Sequence, residues 1–177
     1  MHTISRGEKV LVSGANGFVA MWIVRKLLEK GYAVRGTVRS ADKGKYLQDY
    51  FQSYGTKFEI AIVEDITKDG AFDEAVQGVH AIIHTASPFY FNAVSVDELL
   101  RPAVNGTVSI LKSALEYGQR IKRVVVISSA ASVSDFSVYK VLNEDDWNEP
   151  SVREIEEKGT DAPGHVKYFA SKTAAER

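Results

Sequence analysis

Cysteine is absent from the 177 residues of the chain, which excludes a disulfide framework, a thiolate nucleophile and a zinc site built on cysteine. The formal net charge is only −1, so no excess of positive charge favours binding to nucleic acid or to an anionic membrane. No apolar run approaches the roughly eighteen residues of a membrane span, and residues 1–9 lack the apolar stretch of a signal peptide. These absences favour a globular protein of the reducing cytoplasm.

The composition is ordinary for a folded domain, with 45% hydrophobic and 25% charged residues. The length suits one domain with a sizeable core. Strand-like apolar runs alternate with helical patterns along the whole chain, which predicts an α/β fold with a doubly wound, Rossmann-like parallel sheet. Right-handed crossovers on both sides of the first strand predict the strand order 3-2-1-4-5.

Hydrophobic runs and turn residues predict where the individual elements lie. Strands are predicted at 10–12, 33–38, 58–63, 81–85 and 123–128. Helices are predicted at about 18–30, from 43 to about 53, at 69–76, at about 96–117 and from about 165 onward. In the first helix, Val19, Ile23, Leu27 and Leu28 fall at helical spacing and are expected to face the core. Residues 133–163 are predicted to form a long, loose connection that is either functional or mobile.

A glycine-containing turn follows the first strand. Gly14 would permit a tight turn, Gly17 would let a phosphate approach the backbone, and Ala20 is small enough for close packing of helix on strand. The N–H groups at the start of the next helix would then offer an anion site to a pyrophosphate. The spacing is G-x-x-G-x-x-A, so a plain strand-turn-helix with two incidental glycines is the alternative explanation.

The end of the second strand indicates which dinucleotide would bind. An NAD site usually has an acid there for the ribose 2′-hydroxyl, whereas residues 34–39 contain none. Arg39 could grip a 2′-phosphate through two charge-assisted hydrogen bonds, and Lys43 could add a second positive charge. Asp65, after the third strand, could accept a hydrogen bond from an adenine amino group. The alternative is that Arg39 and Lys43 are solvated loop cations and Asp65 a surface acid.

Two further patterns are typical of catalytic groups. Tyr168 and Lys172 are four residues apart and would share one helix face. An ammonium beside a phenol favours the phenolate, which suits a general acid that protonates a developing alkoxide. Ser128 and Ser129 end the fifth strand, where a hydroxyl could polarise a carbonyl group. The alternative for Tyr168 and Lys172 is a chance pair on an amphipathic helix. The alternative for the two serines is that they are ordinary residues at a strand end.

Together these stretches resemble the extended branch of the short-chain dehydrogenase/reductase superfamily. Within that branch the sequence is similar to the dihydroflavonol-reductase-like group, and in particular to fungal NADPH-dependent aldehyde and ketone reductases. The resemblance is carried by the glycine turn at 14–20, the serine segment at 128–133, the pair within 168–172, and further stretches at 31–39, 63–65, 101–107, 143–148 and 171–176.

The resemblance implies an enzyme that reduces aldehydes or ketones to alcohols by hydride transfer from NADPH. It implies Ser129, Tyr168 and Lys172 as catalytic residues, with Ser128 as the close rival of Ser129 and Tyr168 as the proton donor. The residues implied to contact NADPH are Gly14, Asn16, Gly17, Phe18, Val19, Arg39, Lys43, Asp65, Ile66, Thr85, Ala86, Ser87, Tyr168 and Lys172. A packed strand position is expected for His84.

Members of this group are longer, and in them a sixth strand and most of the substrate pocket follow the segment that matches here. We therefore expect residues 1–177 to form one NAD(P)-binding domain that is incomplete, without the wall that positions a substrate. A catalytically silent dinucleotide-binding fragment or cofactor sensor is the alternative function. The fifth strand would lie at an open sheet edge, which predicts self-association of the isolated chain. The sequence indicates neither the particular carbonyl substrate nor the oligomeric state.

Overall fold

The computed structural model describes residues 4–137 and 139–177. Its strands are β1 (Lys9–Val12), β2 (Ala33–Val38), β3 (Phe58–Ile62), β4 (Ala81–His84) and β5 (Arg123–Val126). Its α-helices are α1 (Phe18–Glu29), α2 (Ala41–Tyr50), α3 (Asp97–Tyr117), α4 (Glu149–Lys158) and α5 (Gly164–Glu176). Short 3-10 helices lie at Gln52–Lys57, Ala130–Ser132 and Gly159–Asp161. No helix in these ranges combines the length and apolarity needed to cross a membrane.

The strands form one parallel sheet in the order β3-β2-β1-β4-β5, which confirms the predicted fold class and strand order. In the register of the sheet, Val10 of β1 pairs with Val34 on one side and with Ala81 on the other. The central strand therefore has a hydrogen-bonded neighbour on each side. Residues 10–12 of β1 form a continuous apolar run rather than an alternating one because both faces of the sheet are covered there.

The chain divides into two compact units. The first comprises the residues up to Ala86 together with Val108–Ile127, and contains the whole sheet. The second comprises Ser87–Thr107 and Ser128–Arg177, and contains α4 and α5. Helix α3 is shared, because its residues up to 107 belong to the second unit and its later residues to the first.

Both faces of the sheet in the first unit are covered by apolar side chains. One cluster packs Val24 of α1 and Leu47 of α2 against Val10 of β1. A second cluster, on the opposite face, contains Leu11 and Ile110. Because successive strand residues point to opposite faces, the neighbours Val10 and Leu11 belong to different clusters. This two-sided burial is the physical basis of the doubly wound arrangement.

The buried face of α1 is only partly the one expected from the sequence. Leu28 is buried and Ile23 and Leu27 pack against the first cluster, as expected, whereas Val19 is 53% exposed and Ala20 and Val24 are buried instead. The beginning of α1 is almost uniformly apolar, so spacing alone does not identify which of its first residues pack.

Two segments differ from their predicted structure. Residues 69–76, predicted as a helix, form successive turns, with Gly70 at φ +76° interrupting any regular helix. Residues 133–163, predicted as a loose connection, contain α4, which begins after the N-cap residue Asn148 and has Pro150 in its first turn. The polar, strongly charged sequence of α4 hides it from a search for apolar periodicity.

Candidate functional site

The turn after β1 requires glycine at position 14 for two reasons. Gly14 has φ +61°, a conformation that L-residues with side chains rarely adopt. A Cβ atom there would also lie 3.1 Å from the Cα atom of Ala86. The turn is held in place by hydrogen bonds from the Gly14 N–H to Thr37 Oγ1 (3.2 Å) and from the Ala15 N–H to the Thr37 carbonyl (2.8 Å). Thr37 of β2 therefore shapes the turn from the neighbouring strand.

The N-terminus of α1 is suited to an anion. Gly17 is the N-cap residue and provides no side-chain cap, and the first turn contains no acidic residue. Phe18 and Val19 are exposed. The first N–H groups of a helix have no partner within the helix and carry its positive dipole end. This end of α1 is therefore able to receive an anion, and Asn16 lies half-buried within the same turn. The pyrophosphate predicted there stays a prediction.

A buried hydroxyl links the ends of β1 and β4. Ser13 Oγ accepts hydrogen bonds from the N–H groups of Thr85 (2.9 Å) and Ala86 (3.0 Å) and lies 2.9 Å from His84 Nδ1. With two donors already accepted, the Ser13 hydroxyl hydrogen points to Nδ1, which fixes His84 as the tautomer that accepts there. Ser13 thereby holds Ala86 close to Gly14. Sequence analysis missed this role, although Ser13 directly precedes the glycine turn.

The cations near the end of β2 differ in their availability. Arg39 directly follows β2, Lys43 lies in the first turn of α2, and both are exposed. Arg35 is instead occupied, because its Nε donates to Glu59 Oε1 (2.6 Å) and its Nη1 donates to the carbonyl of Ala75 (2.8 Å). Arg39 and Lys43 are therefore the cations of this region that a phosphate could reach.

Asp65 and Ile66 follow β3 and take part in local structure. Asp65 Oδ1 accepts hydrogen bonds from the N–H (2.9 Å) and the hydroxyl (2.7 Å) of Thr67, which forms a turn. Ile66 is half-buried and packs against the cluster that contains Leu11. The adenine contact predicted for Asp65 stays a prediction.

In the second unit, the two serines after β5 have different partners. Ser128 Oγ has two acceptors within hydrogen-bonding distance, Glu176 Oε2 and Ser132 Oγ (3.2 Å), so its single hydroxyl hydrogen is used within the second unit. Ser129 Oγ accepts from the Ala131 N–H (3.2 Å), so its own hydrogen can still be donated elsewhere. This geometry favours Ser129 over Ser128 as a donor to a carbonyl oxygen.

Tyr168 and Lys172 lie one turn apart on α5. Lys172 is only 6% exposed, and this burial lowers the pKa of its ammonium below the ordinary value of 10.5, although nearby Glu176 opposes the shift. The ring of Tyr168 is contacted edge-on by those of Phe89 (5.2 Å between centroids) and Phe91 (5.7 Å). The helix thus presents a half-buried phenol and a desolvated ammonium at successive turns.

The segment before α3 also carries polar groups. Ser87 is half-buried, and its hydroxyl oxygen has no hydrogen-bond partner among the described residues. An orphaned buried hydroxyl is compatible with a bound ligand group, because buried polar atoms are usually satisfied. Thr85 and Ala86, by contrast, are bound to Ser13 in the first unit.

Lys167 is a buried cation that sequence analysis missed. It is 3% exposed, and its Nζ donates to the carbonyl oxygens of Ala93 (3.1 Å), Val94 (2.7 Å) and Thr160 (2.7 Å). These three bonds use all three ammonium hydrogens and fasten α5 to the segment that bears Phe91. Lysine is seldom buried, so nothing in the local sequence signals this role.

Residues 11–176 match the sequence profile of the 3-beta hydroxysteroid dehydrogenase/isomerase family. The chain belongs to this family. The matched range includes the glycine turn, both serines and α5 up to Glu176, and it confirms the resemblance to extended short-chain dehydrogenases/reductases.

Individual members of the family are similar along nearly the whole chain. Aldehyde reductase 2 of Sporidiobolus salmonicolor is 40% identical over 98% of this chain, and dihydroflavonol 4-reductase of Dianthus caryophyllus is 33% identical over 100%. The crystal structure of yeast methylglyoxal/isovaleraldehyde reductase Gre2 complexed with NADPH superimposes with a TM-score of 0.84 at 39% identity, covering 95% of this chain.

The chain spans about half the length of the curated relatives it matches. It covers 52% of the Sporidiobolus reductase, 48% of the Dianthus reductase and 50% of the yeast structure. Within the family, this chain therefore corresponds to the part that contains the glycine turn, the serine segment and α5.

Proposed function

We propose that the protein is an NADPH-dependent oxidoreductase that reduces the carbonyl group of an aldehyde or ketone to an alcohol. The observation that carries the proposal is the arrangement of the second unit, where Tyr168 precedes the desolvated Lys172 by one turn and Ser129 retains a hydrogen to donate. The names of the relatives support it, since they include an aldehyde reductase and a methylglyoxal/isovaleraldehyde reductase complexed with NADPH.

The first unit would supply most of the contacts to the dinucleotide. In the proposal, Gly14, Asn16, Gly17, Phe18 and Val19 surround the pyrophosphate at the start of α1. The 2′-phosphate is bound by Arg39 and Lys43, the adenine by Asp65 and Ile66, and Thr85 and Ala86 add further contacts. Residues of the second unit proposed to contact NADPH are Ser87, Tyr168 and Lys172. When bound, NADPH supplies the hydride.

The residues of the second unit would then act on the substrate oxygen. The Ser129 hydroxyl donates a hydrogen bond to the carbonyl oxygen and draws negative charge onto it. Tyr168 donates its phenolic proton to that oxygen as it becomes an alkoxide. Lys172 stabilises the phenolate that remains and binds a ribose hydroxyl. Burial of Lys172 strengthens this electrostatic effect, because less water screens the charge.

The test is an assay of NADPH oxidation by the full-length protein with methylglyoxal, isovaleraldehyde and an aryl ketone. We expect oxidation that depends on the carbonyl compound and is faster with NADPH than with NADH at equal concentration. NADPH binding without such oxidation would contradict the reductase function and indicate the silent dinucleotide-binding protein instead. Failure to bind NADPH at all would contradict both functions.

A further inference from the structure

Asn148 is a fully buried amide that makes two kinds of contact. It is 0% exposed, and its Oδ1 accepts from the Ser151 N–H (3.1 Å), which caps the start of α4. At the same time its Nδ2 donates to the carbonyl oxygen of Ala131 (2.9 Å), and its backbone N–H donates to the carbonyl oxygen of Ser132 (2.9 Å). One residue thus joins the N-terminus of α4 to the 3-10 turn at Ala130–Ser132.

The residue that Asn148 holds is the one that orients Ser129. The Ala131 N–H donates to Ser129 Oγ (3.2 Å), while the Ala131 carbonyl receives the amide of Asn148. Ala131 is itself buried. The turn is also tied to α5, because the hydroxyl of Thr173, next to Lys172, donates to the Ser132 carbonyl (3.2 Å).

Capping of α4 does not by itself require asparagine. Serine, threonine and aspartate accept from the first N–H groups of a helix about equally well. Only the amide of asparagine combines that acceptor with a donor that reaches the Ala131 carbonyl. The choice of Asn148 at a fully buried position is therefore explained by the second contact rather than by the cap.

We infer that Asn148 is a positioning residue for the Ser129 hydroxyl, acting through Ala131. The inference rests on the proposed function, in which Ser129 binds the substrate oxygen. Without the Asn148 donor, the buried Ala131 carbonyl loses its partner, and an unsatisfied carbonyl is costly enough to reorient the turn. The hydrogen bond from the Ala131 N–H to Ser129 Oγ is then lost, and the Ser129 hydroxyl no longer points to the substrate oxygen.

The principal variant is N148D, which keeps the acceptor that caps α4 but, when ionised, replaces the amide donor by a second acceptor and a buried negative charge. The matched control is N143D, the same chemical change at an exposed residue whose Oδ1 also accepts a backbone N–H, that of Asp145 (2.9 Å). At pH about 7.5 we expect N148D to lower kcat about tenfold with the KM for NADPH unchanged, because small misplacements of a reacting group are costly. N143D should retain the parent kcat.

Acidification provides a readout that a purely structural role would not move. Burial raises the pKa of an introduced carboxyl group, and on protonation the group regains a hydrogen to donate. We therefore expect the ratio of the N148D kcat to the parent kcat to recover severalfold between about pH 8 and about pH 5.5. N148S keeps a cap but is too short to reach the Ala131 carbonyl, so its kcat should stay low across that range.

The two proposals fail in different ways. If the parent reduces carbonyls and folded N148S has the parent kcat at about pH 7.5, the positioning role is wrong and the function stands. An equal loss in kcat and in NADPH affinity would also overturn it. If N148D does not fold, N148S decides. If the parent itself has no carbonyl-dependent turnover, the function fails, and hydrogen exchange of the Ala131 amide decides the contact: exchange as slow in the variants as in the parent would overturn it.

Discussion

The two compact units differ in the chemical groups that they would present to a ligand. In the first unit, the candidate phosphate site consists of backbone N–H groups at the start of α1 and the turn at Gly14, with the exposed cation Arg39 after β2. In the second unit, the candidate catalytic groups are the side chains of Ser129, Tyr168 and Lys172; Ser129 Oγ accepts a hydrogen bond from the Ala131 N–H, and Lys172 is buried.

This difference separates binding from chemistry. A site built from backbone depends on the room and dihedral angles that glycine allows, so its substitutions should alter affinity and stability. A site built from side chains depends on their direction, so its substitutions should alter turnover more than affinity. Four variants can break or sharpen this contrast.

Replacement of Tyr168 by phenylalanine should have the largest effect. Because the phenol contributes its proton only in the transition state, Y168F should lower kcat of the full-length protein about a hundredfold or more while NADPH affinity stays within about twofold. The control Y139F changes a fully exposed tyrosine and should behave as the parent. Steady-state kinetics and a fluorescence titration of NADPH provide the two measurements, and near-parental turnover of Y168F would show that the proton comes from elsewhere.

Arg39→Ala should produce the next largest effect, and it should appear in binding. Loss of a charge-assisted contact of about 1.5–3 kcal/mol would weaken NADPH binding about tenfold to a hundredfold, with NADH affinity unchanged. R153A removes an exposed arginine from α4 and serves as the control. Equal affinity of the parent for NADH and NADPH in calorimetric titrations would refute the role of Arg39.

Gly14→Ala should produce a smaller effect on both stability and NADPH affinity. Gly78→Ala introduces the same left-handed strain, since Gly78 has φ +73°, but its Cβ atom would meet nothing within 4 Å. We expect G78A to cost about 1 kcal/mol in the free energy of unfolding, and G14A to cost about 1–2 kcal/mol more, because its Cβ meets Ala86. Urea denaturation measures the free energy of unfolding of both variants. Equal losses of this free energy would show that Ala86 shifts to accommodate the added Cβ atom without cost.

The smallest expected effect is a change in the self-association of the 177-residue chain. In the described sheet β5 has β4 as its single neighbour, and Val125 is 40% exposed. An apolar open edge favours pairing with another chain, so V125K should reduce the average mass measured by light scattering. I62K places the same charge on the other edge strand β3, whose Ile62 is 46% exposed, and an equal fall in mass would show that the association is not specific to β5. A monomeric parent chain would contradict the prediction.

Local patterns in the sequence determined most of the first unit. The alternation of apolar runs with helical patterns predicts the sheet and its order, because parallel strands need crossovers and crossovers have one hand. Gly14 could be recognised from the G-x-x-G-x-x-A spacing after an apolar run, and the structure explains it by a φ of +61° and the nearby Ala86. The face of α1 could be predicted only in part, since its first turns are apolar on every side. The apolar stripe of the polar helix α4 consists of little more than Val152 and Ile155, which is too short to reveal the helix in the sequence.

Tertiary structure alone decided how the side chains of the second unit are held. The amide of Asn148 meets a carbonyl 17 residues earlier in the chain, and the ammonium of Lys167 meets one 74 residues earlier. The preference for Ser129 over Ser128 likewise depends on Glu176, 48 residues away from Ser128. Residue type and spacing predict which groups are capable of chemistry. Which hydrogen each group still has to donate depends on partners that only the folded chain brings within hydrogen-bonding distance.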